Sequence, residues 1–239
     1  MVTTLQLQYR KHPETLRGLK DTIMLKKIVA AAAAFVLTSM PLMAETEISV
    51  YGGWQTAPHS SVSGERADGS SFDENIGWDG KSFSMPPYYG LRAMWWQPNN
   101  IGYGIEVTHA KFYAPVAEMP AGFSRLEFTD GHNIATANVM KRWPGQWADR
   151  FSPYLGAGIG IAVPHVDVTE NGNRTYGYQY TGPALRLTAG ASYDLNDRWA
   201  AFGEYQFTVS DNKVDLEGGG TLNTRLISNA LNLGLSFRF

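Results

Sequence analysis

The sequence predicts an all-β chain: an eight-stranded antiparallel transmembrane β-barrel of the outer membrane, with short periplasmic turns and four long extracellular loops. Three observations predict it. Apolar and polar residues alternate with period two in eight separate segments, and after residue 44 no apolar pattern of helical spacing lasts three turns. The connections between these segments alternate short and long, as they do in outer-membrane barrels. The chain also ends in NLGLSFRF, where Asn232, Gly234, Phe237 and Phe239 are spaced like the sorting signal read by the barrel-assembly machinery, an expected partner.

Composition narrows the function classes. The 239 residues are 18% charged, 44% hydrophobic and 13% aromatic, too rich in apolar residues for a disordered chain and too charged for a helical membrane protein. Cysteine is absent, which excludes thiol catalysis, thiolate metal sites and disulfides. A formal net charge of −2 offers no concentrated basic face, so no nucleic-acid partner is expected.

Residues 24–44, MLKKIVAAAAAFVLTSMPLMA, read as a secretory signal peptide: basic Lys26 and Lys27, an apolar run from Ile28 to Leu37, then Pro41. That run is far short of the ~20 apolar residues of a spanning helix. Residues 1–23 are polar and aperiodic and read as a non-native upstream extension, with Met24 as the start and cleavage expected after Ala44. The remaining domain, 45–239, holds 14 Lys or Arg against 20 Asp or Glu.

The eight segments follow in order. In the first, Ile48, Val50, Gly52 and Trp54 alternate with Ser49, Tyr51 and Gln55. The second sets Tyr89, Leu91, Ala93 and Trp95 against Gly90, Arg92, Met94 and Trp96, and after Pro98-Asn99-Asn100 the third sets Tyr103, Ile105 and Val107 against Gly104, Glu106 and Thr108. The fourth, 133–142, is the faintest. The fifth opposes Leu155, Ala157, Ile159, Ile161 and Val163 to Gly156, Gly158 and Gly160. In the sixth, Leu185, Leu187, Ala189, Ala191 and Tyr193 oppose Arg186, Thr188, Gly190 and Ser192. Trp199, Ala201, Tyr205, Phe207 and Val209 face away from Glu204, Gln206, Thr208 and Ser210 in the seventh, and Leu231, Leu233, Leu235, Phe237 and Phe239 from Asn232, Gly234, Ser236 and Arg238 in the eighth.

Short connections fall near 97–100, 143–150 and 194–198. The apolar faces end in Trp54, Tyr89, Trp95, Tyr103, Trp199 and Phe239, as aromatic girdles at two lipid interfaces do. The opposite faces are small, polar or charged, and eight strands leave a bore that side chains fill. Arg92, Glu106, Arg186, Glu204 and Arg238 are therefore expected to pair inside and plug the lumen; a charge-selective channel would need a wider barrel. GAGIG at 156–160 superficially resembles a dinucleotide loop, but it lies within a strand and no helix follows it.

Four histidines outside the leader fall at outer strand ends or in loops: His59, His109, His132 and His165. Asp130 in FTDGH and Asp167 in VPHVD lie two residues from a histidine, and imidazole with carboxylate suits a divalent transition metal. The alternative is polar decoration of exposed loops. After a polar Gly/Ser/Asp-rich tip at 60–80, Pro86-Pro87 prevents ladder pairing ahead of Tyr88 and Tyr89, which fixes a rim or forms one wall of a site.

TAPHS (56–60), GKSFSMPPYYG (80–90), GIEVTHAK (104–111), EFTDG (127–131), PYLGAGIGIAVPHV (153–166), FGEY (202–205) and NLGLSFRF (232–239) together resemble the lipid A oxidases of rhizobial outer membranes. PYLGAGIGIA and the C-terminus are common to outer-membrane protein A-like barrels and specify fold; TAPHS, MPPYYG and VPHV are more particular. The resemblance implies oxidation of the proximal glucosamine of lipid A, the partner in the outer leaflet, to 2-aminogluconate, with O2 as co-substrate and hydrogen peroxide released. That chemistry needs a base and an electron acceptor. With no recognisable flavin or nicotinamide fold, the economical expectation is a divalent redox metal on His59, His109 and His165, with Asp167 or Asp130 completing the shell or orienting an imidazole. His132 with Asp130 is the expected catalytic pair, and a bulge near Thr108 would be needed to turn His109 inward. Two other functions stay open: a lipid A deacylase, for which His59-Ser60-Ser61 offers a His-x-Ser spacing, and a structural or adhesive barrel without enzymatic activity.

The C-terminal pattern carries a test. Deleting Phe239 should lower the yield of assembled, heat-modifiable barrel in the outer membrane without altering the chemistry of barrels that do assemble. Normal yield would contradict the assignment of the terminal aromatic to the insertion signal.

Overall fold

The computed structural model describes residues 45–239; the upstream extension 1–23 and signal peptide 24–44 expected from the sequence lie outside the described residues. Eleven strands follow in chain order: β1 (Glu45–Thr56), β2 (Ser60–Arg66), β3 (Ser71–Ile76), β4 (Tyr89–Trp96), β5 (Ile101–Tyr113), β6 (Phe123–Arg142), β7 (Phe151–Glu170), β8 (Asn173–Tyr178), β9 (Gly182–Asp194), β10 (Trp199–Asp215) and β11 (Gly220–Arg238). Eight of them, β1, β4, β5, β6, β7, β9, β10 and β11, form an antiparallel ring that closes where β1 pairs with β11, from Glu47↔Arg238 to Thr56↔Asn229. Closure leaves the ring no free sheet edge, the condition for crossing hydrocarbon with strands.

The alternation read from the sequence sorts the two faces as expected. Outward residues include Val50, Leu91, Ile105, Ile159, Leu187 and Leu233, all strongly exposed. Trp54, Tyr89 and Tyr205 ring this band on the extracellular side, while Tyr103, Tyr193, Trp199 and Phe239 ring it on the periplasmic side.

Inside the band, charges pair. Arg92 Nε donates to Glu106 Oε2 at 3.0 Å and its Nη2 to Glu204 Oε1 at 2.6 Å, while Arg186 Nη1 lies 3.2 Å from Glu106 Oε1. Gln206 Nε2 donates to Glu106 at 2.8 Å and Tyr154 to Glu204 at 2.8 Å; the Tyr51 hydroxyl also donates to Glu106. Small residues make room for this layer: Gly90 faces the Tyr51 ring and Gly156 lies under Met140. The voids above and below it measure only about 10 and 20 Å³, each no larger than one water. Arg238 sits at the periplasmic end, where it meets Glu47 at 3.0 Å and Asp194 at 2.7 Å.

Two features depart from the sequence reading. Much of the length expected in extracellular loops is strand: the tip at 60–80 is the hairpin β2–β3, β8 pairs with β7, and only residues 216–219 join β10 to β11. The β2–β3 turn runs through Asp68 and Gly69, whose φ of +82° is the left-handed region that glycine supplies. Above the membrane β2 replaces β1 beside β11, from Val62↔Thr224 to Arg66↔Gly220. The second departure is that the interior becomes mainly apolar beyond membrane depth. Beyond it Val62, Phe72, Ile76 and Trp78 of the hairpin segment pack against Phe112, Leu126, Phe128, Val166 and Leu222 as an apolar core. Water surrounds the barrel at that height, so the extension is held together by hydrophobic burial, as in a soluble β domain.

The paired layer yields a stability prediction. Glu106→Ala leaves Arg186 without its carboxylate and should destabilise the barrel by about 3–5 kcal/mol, measured by urea unfolding in detergent micelles. Unchanged stability would mean that water already reaches the layer.

Candidate functional site

The residues singled out by the sequence fall into three places. The first is the outer face of β5, β6 and β7 just above the apolar band. Pairing of β6 with β7 is interrupted between Phe128 and His132, so Thr129, Asp130 and Gly131 bulge out of the ladder; Gly131, at φ +107°, makes the reversal possible. The bulge places the half-exposed Asp130 carboxylate 3.8 Å from Nδ1 of His165. That is an ion-pair distance when the imidazole is protonated and too long for a hydrogen bond. Tyr176 and Tyr178 of β8 hold the His165 ring edge-on, with centroids 4.5 and 4.9 Å away.

His109 lies on this outer face as well. Its ring stacks on Tyr89 with centroids 5.0 Å apart, and Nδ1 is 3.1 Å from Asn133 Oδ1, while Nε2 is buried without a partner. The inward turn expected at Thr108 does not occur: the β5–β6 register is continuous from Ile101 through Ala110 and breaks only after it. His109 therefore keeps the outward parity of Ile105 and Val107.

Asp167 shares the outward face two residues beyond His165, but it is fully engaged. It accepts from Arg174 Nε at 2.8 Å and Nη2 at 2.9 Å and from Arg125 Nη1 at 2.9 Å. Burial pushes its carboxyl pKa up, yet the two guanidinium groups outweigh this and hold it below the usual carboxylate value. Its oxygens lock β8 to β7 and leave little for a metal.

His132 is on the other side of the wall. It is buried in the lumen, with Nε2 3.1 Å from Asn212 Oδ1 and 3.2 Å from Ser210 Oγ, and its ring meets Phe112 and Phe128 edge-on. The bulge that carries Asp130 out returns the chain so that His132 points in, so the two do not form a catalytic pair. His59, exposed in the β1–β2 connection, borders a groove over β10 and β11.

Of the four expected metal ligands, His109 and His165 share the outer face around Asp130, Asp167 is held between arginines, and His59 lies over β10–β11. Among the described residues no group of three or more His, Asp or Glu is placed to hold one ion. The His-x-Ser spacing is not a nucleophile pair either, because Ser61 Oγ donates to Asp73 at 2.6 Å and Ser60 Oγ accepts from Trp78 Nε1 at 2.8 Å. Sequence reasoning missed the tyrosines and arginines of this face. The alternating tyrosines of TYGYQY, 175–180, were the available signal of another strand.

Comparison with known proteins agrees with this architecture. No curated protein matches the chain. The crystal structure of OprG from Pseudomonas aeruginosa is similar at 15% identity over 82% of this chain and 97% of that one, with a TM-score of 0.54. Neisserial surface protein A aligns at 14% identity over 81% and 97%, TM-score 0.45, and the Escherichia coli outer membrane protease OmpT at 9% over 84% and 99%, TM-score 0.47. Residues 29–239 match the outer membrane protein beta-barrel domain, so the chain belongs to that family and is an integral protein of the outer membrane.

Proposed function

We propose that this barrel is an outer-leaflet enzyme that oxidises the proximal glucosamine of lipid A to 2-aminogluconate. The observation that carries the reading is the His165–Asp130 pair on the outside of the wall, at the height where lipid headgroups lie, beside the orphaned Nε2 of His109. In the reaction the anomeric hydroxyl gives up its proton and C1 its hydrogen. The electron pair reduces O2 to hydrogen peroxide, and the resulting lactone takes up water to become the acid. His165 is the proton acceptor, and the Asp130 carboxylate stabilises the imidazolium that forms. Tyr176 and Tyr178, both exposed, flank the His165 ring and would border a bound sugar. No step is assigned to a metal, and the role proposed for this face is positioning and proton transfer.

A second reading, a barrel without enzymatic activity, is favoured by the interior plugged with paired charges. Incubating the purified full barrel in detergent with lipid A whose proximal glucosamine carries a free anomeric hydroxyl, in air and under nitrogen, separates them by mass spectrometry and peroxide assay. The oxidase should add one oxygen atom to lipid A in air only, and His165→Ala and Asp130→Asn should each slow this roughly 100-fold or more while heat-modifiable migration is kept. Unaltered lipid A would support the structural reading, and a lost acyl chain would support a deacylase.

A further inference from the structure

Two grooves lie one above the other on the outer wall, on the same pair of strands. The lower, about 750 Å³, is apolar and sits at the extracellular girdle between Trp54, Tyr205, Leu231 and Leu233, with Phe83 reaching down from the loop after β3. The upper, about 670 Å³, carries charged and hydrogen-bonding groups in its lining: Lys213, Arg225, Asp211, Asn223, Ser63 and His59. Register connects them: Tyr205↔Leu231, Val209↔Ile227 and Asp211↔Arg225 face outward in succession along β10 and β11. From Tyr205 to Asp211 is about 20 Å of strand at ~3.4 Å per residue. Strand tilt reduces this to about 15 Å along the membrane normal.

The floor of the lower groove is made by Gly52 and Gly203, and packing does not require glycine at either. Inward wall glycines such as Gly90, Gly104 and Gly234 abut Tyr51, Met94 and Phe202, so an added methyl would collide. At Gly203 a Cβ would meet nothing closer than Leu233 at 3.4 Å, and at Gly52 nothing closer than the Tyr88 carbonyl at 3.5 Å. Both positions have room for a Cβ, and the depth of the groove depends on there being none.

We infer that this wall is a binding lane for one phosphorylated acyl-sugar lipid of the outer leaflet, the chemistry of lipid A: an acyl chain in the lower groove and the phosphosugar in the upper. The charges fit a phosphate. Among the described residues Lys213 has no carboxylate partner, and Arg225 has only Asp211, in an exposed pair at 2.6 Å that a phosphate can displace at little cost. Asn223 and Ser63 offer the hydrogen-bonding groups a sugar needs. The lane does not rest on the enzymatic reading, since it lies on a different part of the wall from His165 and calls for binding alone.

Native mass spectrometry of the full barrel in micelles tests it, with lipid A, dephosphorylated lipid A and phosphatidylglycerol as probes and no turnover. Wild type should retain lipid A over both other lipids, and Lys213→Glu with Arg225→Glu should weaken lipid A roughly 10-fold or more, about 1.4 kcal/mol. Gly203→Leu should weaken all three, because it fills the acyl groove. Heat-modifiable migration checks that each variant is folded. Lipid A retained equally by wild type, the charge variant and Gly203→Leu would overturn the lane, as would phosphatidylglycerol binding as tightly as lipid A. Oxidation failing while this binding pattern holds would refute the enzymatic proposal alone.

Discussion

Pairing of β1 with β11 over ten residue pairs sets the terms for everything else in the molecule. Once an eight-stranded sheet closes on itself, its bore is too narrow for bulk water, and each inward polar group must find its partner in protein. Arg92, Arg186, Glu106 and Glu204 meet that demand together: the two glutamates accept from Tyr51, Tyr154 and Gln206 as well as from the arginines, so their lone pairs are largely occupied. A single charge here would be prohibitive, whereas the paired set seals the wall from inside.

A plugged lumen leaves the outer wall and rim as the surfaces open to a ligand. The apolar band reaches the Trp54, Tyr89 and Tyr205 girdle, and above it the strands continue into water, capped by the β2–β3 hairpin and its own apolar core. The cap packs against the inner face of the rim strands through Val62, Phe72, Ile76 and Trp78. Around the circumference the rim is differentiated: a histidine–carboxylate face over β5–β7, an arginine-clamped β7–β8 edge, and a basic groove over β10–β11. An outer-leaflet lipid can approach each of these laterally without leaving the membrane.

How much of this is legible in the sequence depends on which solvent a residue faces. At membrane depth one face meets hydrocarbon and the other a polar bore, so alternation is strict and all eight ring segments, the girdles and the inward charges can be read directly. Beyond the membrane that contrast fades. Residues 60–76 carry Ser, Gly, Asp and Glu on a short hairpin, and composition there resembles a loop although Asp68-Gly69 is a hairpin turn signal. The site residues suffered for a different reason. Parity says which way a side chain points only until a bulge intervenes, and the bulge lies at 129–131 rather than at Thr108, so Asp130 is carried out, His132 stays in and His109 keeps the outward face. Three histidines at the same height need not be neighbours on a ring of eight strands.

The sealed lumen, from which the placement of function follows, is most directly tested by ion conductance. Purified barrel inserted in planar lipid bilayers should give no current steps above the bare membrane across the voltage range the bilayer withstands. Regular, stable openings of one size would contradict the account, because they would show water continuous through the Arg92–Glu106–Glu204 layer.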